Sequence, residues 1–197
     1  MLDLYHLELL ASGFTLLCVW LLARQNIYTF LWGIIGVLLY GYIFYESHLF
    51  ADATLQWAYF LPIQIYGWWY WYTKGPQPDT LSITVLTWWQ AAFWTVVTAI
   101  GTLIAWYLFA HYTSAALPAP DSFILVASMV AQYLLSQKKL DNWIIWIAVD
   151  IVAIPTYAYK ELYVTTGLYT ILLGLASYGL YTWTKEWHTY NIFGRAR

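Results

Sequence analysis

The chain has 197 residues, of which 62% are hydrophobic and 9% charged, with a formal net charge of −2. A soluble domain carries roughly a quarter charged residues, so a compact soluble enzyme, a disordered chain and a nucleic-acid binder are excluded, and a polytopic membrane protein remains. Aromatic residues are the second anomaly: 14 Trp, 19 Tyr and 9 Phe make 21% of the chain, more than interfacial belts alone require.

A helix crosses the bilayer core with about 20 mostly apolar residues, because its backbone must satisfy its own hydrogen bonds there. Cut from charge to charge, the first run is Leu7 to Leu22, closed by Arg24, Gln25 and Asn26. Asp3 precedes it, Glu8 sits at its start and no basic segment comes before it, so it is expected to remain as a span and not to be cleaved as a signal peptide. The second runs from Ile27 to Tyr45. The third, Leu49 to Tyr72, stops at Lys74-Gly75-Pro76-Gln77-Pro78-Asp79. The fourth is Ile83 to Ala110, followed by a loop from His111 to Asp121 with Pro118 and Pro120. The fifth, Ser122 to Gln137, ends at Lys138-Lys139; the sixth is Asn142 to Tyr159; the seventh is Tyr163 to Trp183, before a polar tail. Arg24, Lys74, Lys138, Lys139, Lys185, Arg195 and Arg197 fall in alternate loops, and Lys160 alone falls on the other side. Since cytoplasmic loops hold the excess of Lys and Arg, the N-terminus is expected outside and the C-terminus in the cytoplasm. Cys18, the single cysteine, reads as a small buried hydrophobe.

The third and seventh runs end alike. Tyr66-Gly67-Trp68-Trp69-Tyr70-Trp71 stands against Tyr178-Gly179-Leu180-Tyr181-Thr182-Trp183, a Tyr-Gly-x-x-x-Trp pattern repeated 112 residues apart. The hairpin at Tyr45-Glu46-Ser47-His48-Leu49-Phe50 has a counterpart at Tyr159-Lys160-Glu161-Leu162-Tyr163. The expected fold is all-α and integral to the membrane, with seven transmembrane helices arranged as two parallel three-helix repeats around one linker helix. The expected divisions are residues 1–73 for the first repeat, 74–121 for the linker helix and its loops, 122–184 for the second repeat and 185–197 for a cytoplasmic tail. This 3+1+3 plan resembles that of the pseudo-symmetric SWEET sugar carriers, where substrate binds at the repeat interface.

Function must come from residues that lipid does not tolerate. Asn142, Trp146, Asp150, Ala153 and Tyr157 follow helical spacing along one face. An acid such as Asp150 near mid-span costs about 2.5–3.5 kcal/mol on insertion scales, so it faces a polar interior or a partner. Two readings are available: a protonated or hydrogen-bonded Asp that locks two helices, or a group that meets a cationic or hydrogen-bonding substrate. Pro155 adds a kink candidate. In the third run Gln64, Trp68 and Trp71 share a face, with Gln56 two turns earlier; Gln and Asn offer both donors and acceptors, which suits an amide, a pyrimidine or ribose hydroxyls. Gln56 could equally be interhelical glue, worth about 0.6 kcal/mol per bond, whereas for Gln64 the site reading leads, and Trp68 and Trp71 could equally be belt anchors. Trp88, Trp89, Trp94 and Trp187 read as belt or lipid-facing, Asp52 as a boundary residue, and Glu46, His48, Lys160 and Glu161 as solvated hairpins. His6, His111 and His188 have no carboxylate or Cys at ligand spacing, and there is no phosphate-binding loop and no catalytic set, so no metal, cofactor or enzymatic role is expected. Stacking rings, a few amides and one buried acid fit a flat, cationic, polar-edged ligand of the pyridinium or thiazolium vitamin type.

Leu55-Gln56, Gln64-Ile65-Tyr66-Gly67-Trp68-Trp69-Tyr70-Trp71, Asp141-Asn142-Trp143-Ile144-Ile145-Trp146 with Asp150, Tyr163 to Tyr169 and Tyr178-Gly179 together resemble the PnuC-type vitamin transporters, over nearly the whole chain. That resemblance implies a bacterial inner-membrane carrier for nicotinamide riboside, with thiamine or riboflavin carried by sister groups. It also implies facilitated diffusion by alternating access, trapping by a cytoplasmic kinase, and family binding positions at Gln64, Trp68, Asn142, Trp143 and Trp146. On this reading Trp68, Trp143, Trp146, Tyr157 and Tyr178 stack on the ligand, Gln64 and Asn142 bond its amide or ribose, and Asp150 favours the cationic ring. Partners are then the vitamin, the bilayer and a second copy of the chain, since small carriers of this kind often associate. A non-transporting membrane interaction protein, and proton carriage through Asp150, stay open at this level.

Overall fold

The structure is a computed structural model that describes residues 2–48, 50–74, 81–113 and 115–193. The Gly75 to Asp79 stretch read as loop, Leu49, and Arg195 and Arg197 of the tail lie outside the described residues. Helix dominates: α1 (Leu2–Ala23), α2 (Thr29–Glu46), α3 (Phe50–Leu55), a π-helical turn (Gln56–Phe60), α4 (Leu61–Lys74), α5 (Trp88–Tyr112), α6 (Pro118–Ser136), α7 (Asn142–Tyr159) and α8 (Tyr163–Phe193). Because α3, the π turn and α4 are contiguous, these make seven helical segments among the described residues, in the positions of the seven expected spans. α1, α2, α5, α6 and α7 are long and apolar enough to cross a membrane. The third segment is broken by its π turn, and α8 is rich in Tyr, Thr and Trp in place of aliphatic residues.

The chain divides into two compact units, Met1–Ser82 with Ser136–Lys138, and Ile83–Leu135 with Lys139–Arg197. In the first, α1 and α2 are pinned by Ser12 Oγ against Tyr40 Oη at 2.8 Å, by the Thr29 hydroxyl donating to the Cys18 carbonyl at 2.8 Å, and by Phe14 stacked on Trp32. In the second, Ile124 and Ala127 of α6 and Val149 and Ala153 of α7 form an apolar core flanked by Phe123, Ile145, Trp146, Val152, Tyr157 and Tyr169.

Among the described residues four non-glycines take left-handed backbone: Gln25, His48, Lys138 and Glu161, with φ of 56°, 61°, 56° and 60°. They form two pairs, Gln25 with Lys138 and His48 with Glu161, each 113 residues apart. The surrounding turns match bond for bond. The N–H of Asn26 reaches the Leu21 carbonyl as that of Lys139 reaches Leu134, and the N–H groups of Thr29 and Asn142 reach the carbonyls of Asn26 and Lys139. The bonds to Leu21 and Leu134 are Schellman closures, in which a left-handed residue lets the next N–H satisfy an orphan helix carbonyl. The repeat read from Tyr-Gly-x-x-x-Trp thus extends to the backbone, but its offset falls from 113 at the hairpins to 112 at Gly67 and Gly179. The first unit holds one extra residue between them. The π turn absorbs it: the Leu61 N–H bonds to the Gln56 carbonyl, five residues back, and Pro62 has no N–H with which to restore α spacing.

Several boundaries differ from expectation for local reasons. α5 begins at Trp88 and not at Ile83, because Thr87 and Gln90 form a capping box and the preceding strand-like segment is engaged elsewhere. There the Leu140 N–H donates to the Thr84 carbonyl and the Leu86 N–H to Asp141 Oδ2, both at 2.8 Å. α6 starts at Pro118, so both prolines sit in a first turn, where a missing N–H costs nothing. α8 continues to Phe193 with no Gly or Pro between Trp183 and Tyr190 to stop it. α5 has no buried residue, and Phe93, Val96, Ile100, Leu103 and Tyr107 are all exposed, as suits a helix solvated by lipid.

Candidate functional site

The first unit places its candidates on α4. Gln64, Gly67 and Trp71 are buried along one face, and Trp68 beside them is half-buried. Gln56, two turns earlier, opens the π turn and is half-buried. Trp71 is no belt anchor: it is buried, edge-to-face on Phe30 at 5.1 Å, with the Lys138 ammonium 4.6 Å from its ring centroid. Lys138, read from sequence as a loop cation, is 2% exposed and donates to the Leu81 carbonyl at 2.6 Å.

The second unit gathers more. The α7 stripe faces inward as its spacing requires: Asn142, Asp150 and Ala153 are buried, Trp146 and Tyr157 half-buried, while Ile144 and Ile151 on the opposite face are exposed. Trp146 and Tyr157 pack on the apolar core, and Tyr157 pairs with Tyr169 at 5.1 Å. At the start of α7, Asn142 Nδ2 donates to the Lys139 carbonyl at 2.6 Å, which directs Oδ1 away from that turn. Asn142 Oδ1 and the Trp143 indole N–H are both buried without a hydrogen-bond partner among the described residues. Such orphans cost about 1–3 kcal/mol each unless a ligand or water meets them. Asp150, 2% exposed, makes no hydrogen bond or ion pair among the described residues. No described residue therefore pairs with it as the helix-to-helix lock of the rival reading would require.

Trp143 departs from its expected use. It is 1% exposed, with Gly179 against its six-membered ring and Trp183 edge-on at 5.4 Å and 90°. Its ring faces are already covered, so only its N–H is left to offer a ligand. The first unit repeats the arrangement with Phe30, Gly67 and Trp71, where the ring has no N–H. Tyr178 stands apart: it is 43% exposed, on a groove with Tyr181, Thr182, Lys185, Glu186 and Thr189. Sequence reasoning missed Trp183, although the repeated Gly-x-x-x-Trp spacing marked it. It also read Lys160 as solvated, whereas Lys160 closes on Asp121 of α6 at 2.6 Å and lies 5.7 Å from the Tyr157 ring centroid.

The profile of one family, described as nicotinamide mononucleotide transporter, matches residues 5–185. The chain belongs to that family. It is 28% identical to the nicotinamide riboside transporter PnuC of Escherichia coli (strain K12), over 93% of this chain and 87% of that protein. It is 30% identical to the riboflavin/roseoflavin transporter RibM of Streptomyces davaonensis, over 75% of this chain and 70% of that one. A solved structure, the crystal structure of the vitamin B3 transporter PnuC, superposes with a TM-score of 0.76 at 26% identity, covering 93% of this chain and 82% of that chain. The chain is therefore a multi-pass membrane protein of the PnuC family with its 3+1+3 helical fold, a transporter of a small vitamin and not an enzyme.

Proposed function

We propose that this PnuC-family protein carries nicotinamide riboside by facilitated diffusion, with phosphorylation by a cytoplasmic kinase trapping the imported vitamin. The observation that carries the reading is Asp150: a buried carboxylate with no hydrogen bond or ion pair among the described residues. A buried charge needs a partner, and the permanently cationic pyridinium of nicotinamide riboside is one. Asn142 Oδ1 and Trp143 Nε1 add an acceptor and a donor, the complement of a carboxamide NH2 and C=O. The proposed binding residues are Gln64 and Trp68 in the first unit, and Asn142, Trp143, Trp146, Asp150, Tyr157 and Tyr178 in the second. Trp143 contributes its N–H in place of a stacking face. The cation distribution supports an external N-terminus and a cytoplasmic C-terminus in a bacterial inner membrane, with a homo-oligomer as the expected assembly.

The similarity to RibM favours riboflavin as a second reading. Calorimetry of the purified chain against nicotinamide riboside, thiamine and riboflavin separates them. Nicotinamide riboside should bind most tightly, and Asp150→Asn should weaken it about 10-fold or more, as expected for loss of a desolvated charge contact. Binding of riboflavin, which is uncharged, with no effect of Asp150→Asn would establish the second reading and overturn the first.

A further inference from the structure

We propose that Gly33 is a positioning residue for substrate recognition, its missing side chain setting the direction of the Gln64 amide. The inference rests on the reading of Gln64 as a substrate-binding residue. Gly33 on α2 and Gln64 on α4 are both buried. A Cβ built on Gly33 would collide with Gln64 Nε2 and stand 2.8 Å from Cδ and 3.1 Å from Oε1. All three atoms belong to the amide head and none to the aliphatic stem, so the head itself lies over the glycine. Carbon contacts settle near 3.5–4.0 Å, and a side chain at Gly33 therefore has to displace the head. Gln is flexible enough to yield by rotating, which redirects its donors and acceptor while leaving the helix pair in place.

The repeat inverts the sizes at the two matched positions. At the offsets of 113 and 112, Gly33 corresponds to Trp146 and Gln64 to Ala176, which is buried. The first unit carries its large side chain on the third helix of the repeat, and the second carries its large one on the second helix. Both large residues, Gln64 and Trp146, belong to the proposed binding set.

The test is nicotinamide riboside affinity, by calorimetry on the purified full chain, for wild type, Gly33→Ala, Gln64→Ala and the double variant. Gly33→Ala and Gln64→Ala should each weaken binding about 10-fold, the scale of one well-made hydrogen bond to a ligand. The double variant should be no weaker than Gln64→Ala, because without the amide the new methyl has nothing to redirect. A merely structural defect would lower the residual affinity further, so independent, multiplying losses overturn the inference. Wild-type affinity in Gly33→Ala with weak binding in Gln64→Ala also overturns it and leaves the binding role of Gln64 intact. Wild-type affinity in Gln64→Ala removes that role and the inference with it. Alanine is the stronger helix former, and an unchanged apparent Tm for Gly33→Ala confirms that the change in affinity is not unfolding.

Discussion

Substituting Gly179 by alanine tests whether Trp143 is held as tightly as its surroundings indicate. The new Cβ would stand 2.5 Å from Cζ2 and 2.6 Å from Cη2 of Trp143, about 1 Å inside ordinary contact. The indole cannot swing away, because Trp183 is packed edge-on against it and both rings are buried. Overpacking of this kind costs about 1–3 kcal/mol, and replacing a helical glycine by alanine returns about 1 kcal/mol, so Gly179→Ala alone should lose about 0–2 kcal/mol. Trp143→Ala removes the ring that collides, which a phenylalanine would not, since Phe30 at the matched position lies just as close against Gly67. In that background the methyl enters vacated space, and the same substitution should become neutral or stabilising by about 1 kcal/mol. The two changes should therefore couple by about 1–3 kcal/mol, within the range found for residues in contact. Thermal unfolding of the four proteins in one detergent is the assay; near this chain length 1 kcal/mol moves Tm by about 2–4 °C. An equal shift from Gly179→Ala in both backgrounds would refute the packing argument.

Two further outcomes concern stability at the ends of helices. The Asp121–Lys160 ion pair is partly exposed, with side chains 18% and 22% accessible, so Asp121→Asn should cost about 0.5–1 kcal/mol. That loss should shrink between low and molar salt in thermal unfolding; a salt-independent loss would mean the Asp121 side chain acts through packing. Thr87→Ala removes the side-chain half of the α5 capping box and should lower stability by about 1 kcal/mol, with faster amide exchange confined to the first turn after Trp88.

Most of the helical plan could be read from the sequence, because lipid enforces length and polarity on a span more strictly than water does on a soluble helix. α7 runs from Asn142 to Tyr159, the span cut from charge alone. The α7 stripe was also readable, since a period of 3.6 places Asn142, Trp146, Asp150 and Tyr157 on one side whatever packs there. The features that escaped depend on contacts between helices. Trp143 looks like a stacking platform until Gly179 and Trp183 are seen to cover it. Lys138 and Lys160 look solvated because charge is normally exposed; the Leu81 carbonyl and Asp121, which hold them, are 57 and 39 residues away in the chain. The Gly33 contact was invisible for the opposite reason, since a glycine inside an apolar run carries no signal of its neighbours in space. Thr87 and Gln90 were a readable cap, and the apolar Ile83 and Leu86 drew the expected helix start past them.

The π turn at Gln56–Phe60 has a bearing on how such a carrier diversifies. The π turn takes up one additional residue in a single wide turn, so the helix before it keeps its facing relative to α4 while the α hydrogen-bond ladder between them is interrupted. The part of the third segment before Leu61 can therefore exchange residues under one set of constraints while the Gly67–Trp71 end answers to another. α8, an uninterrupted helix at the matched position, has no such joint. A duplicated scaffold in which one copy carries a wide turn and the other an unbroken helix offers selection two unequal places to act.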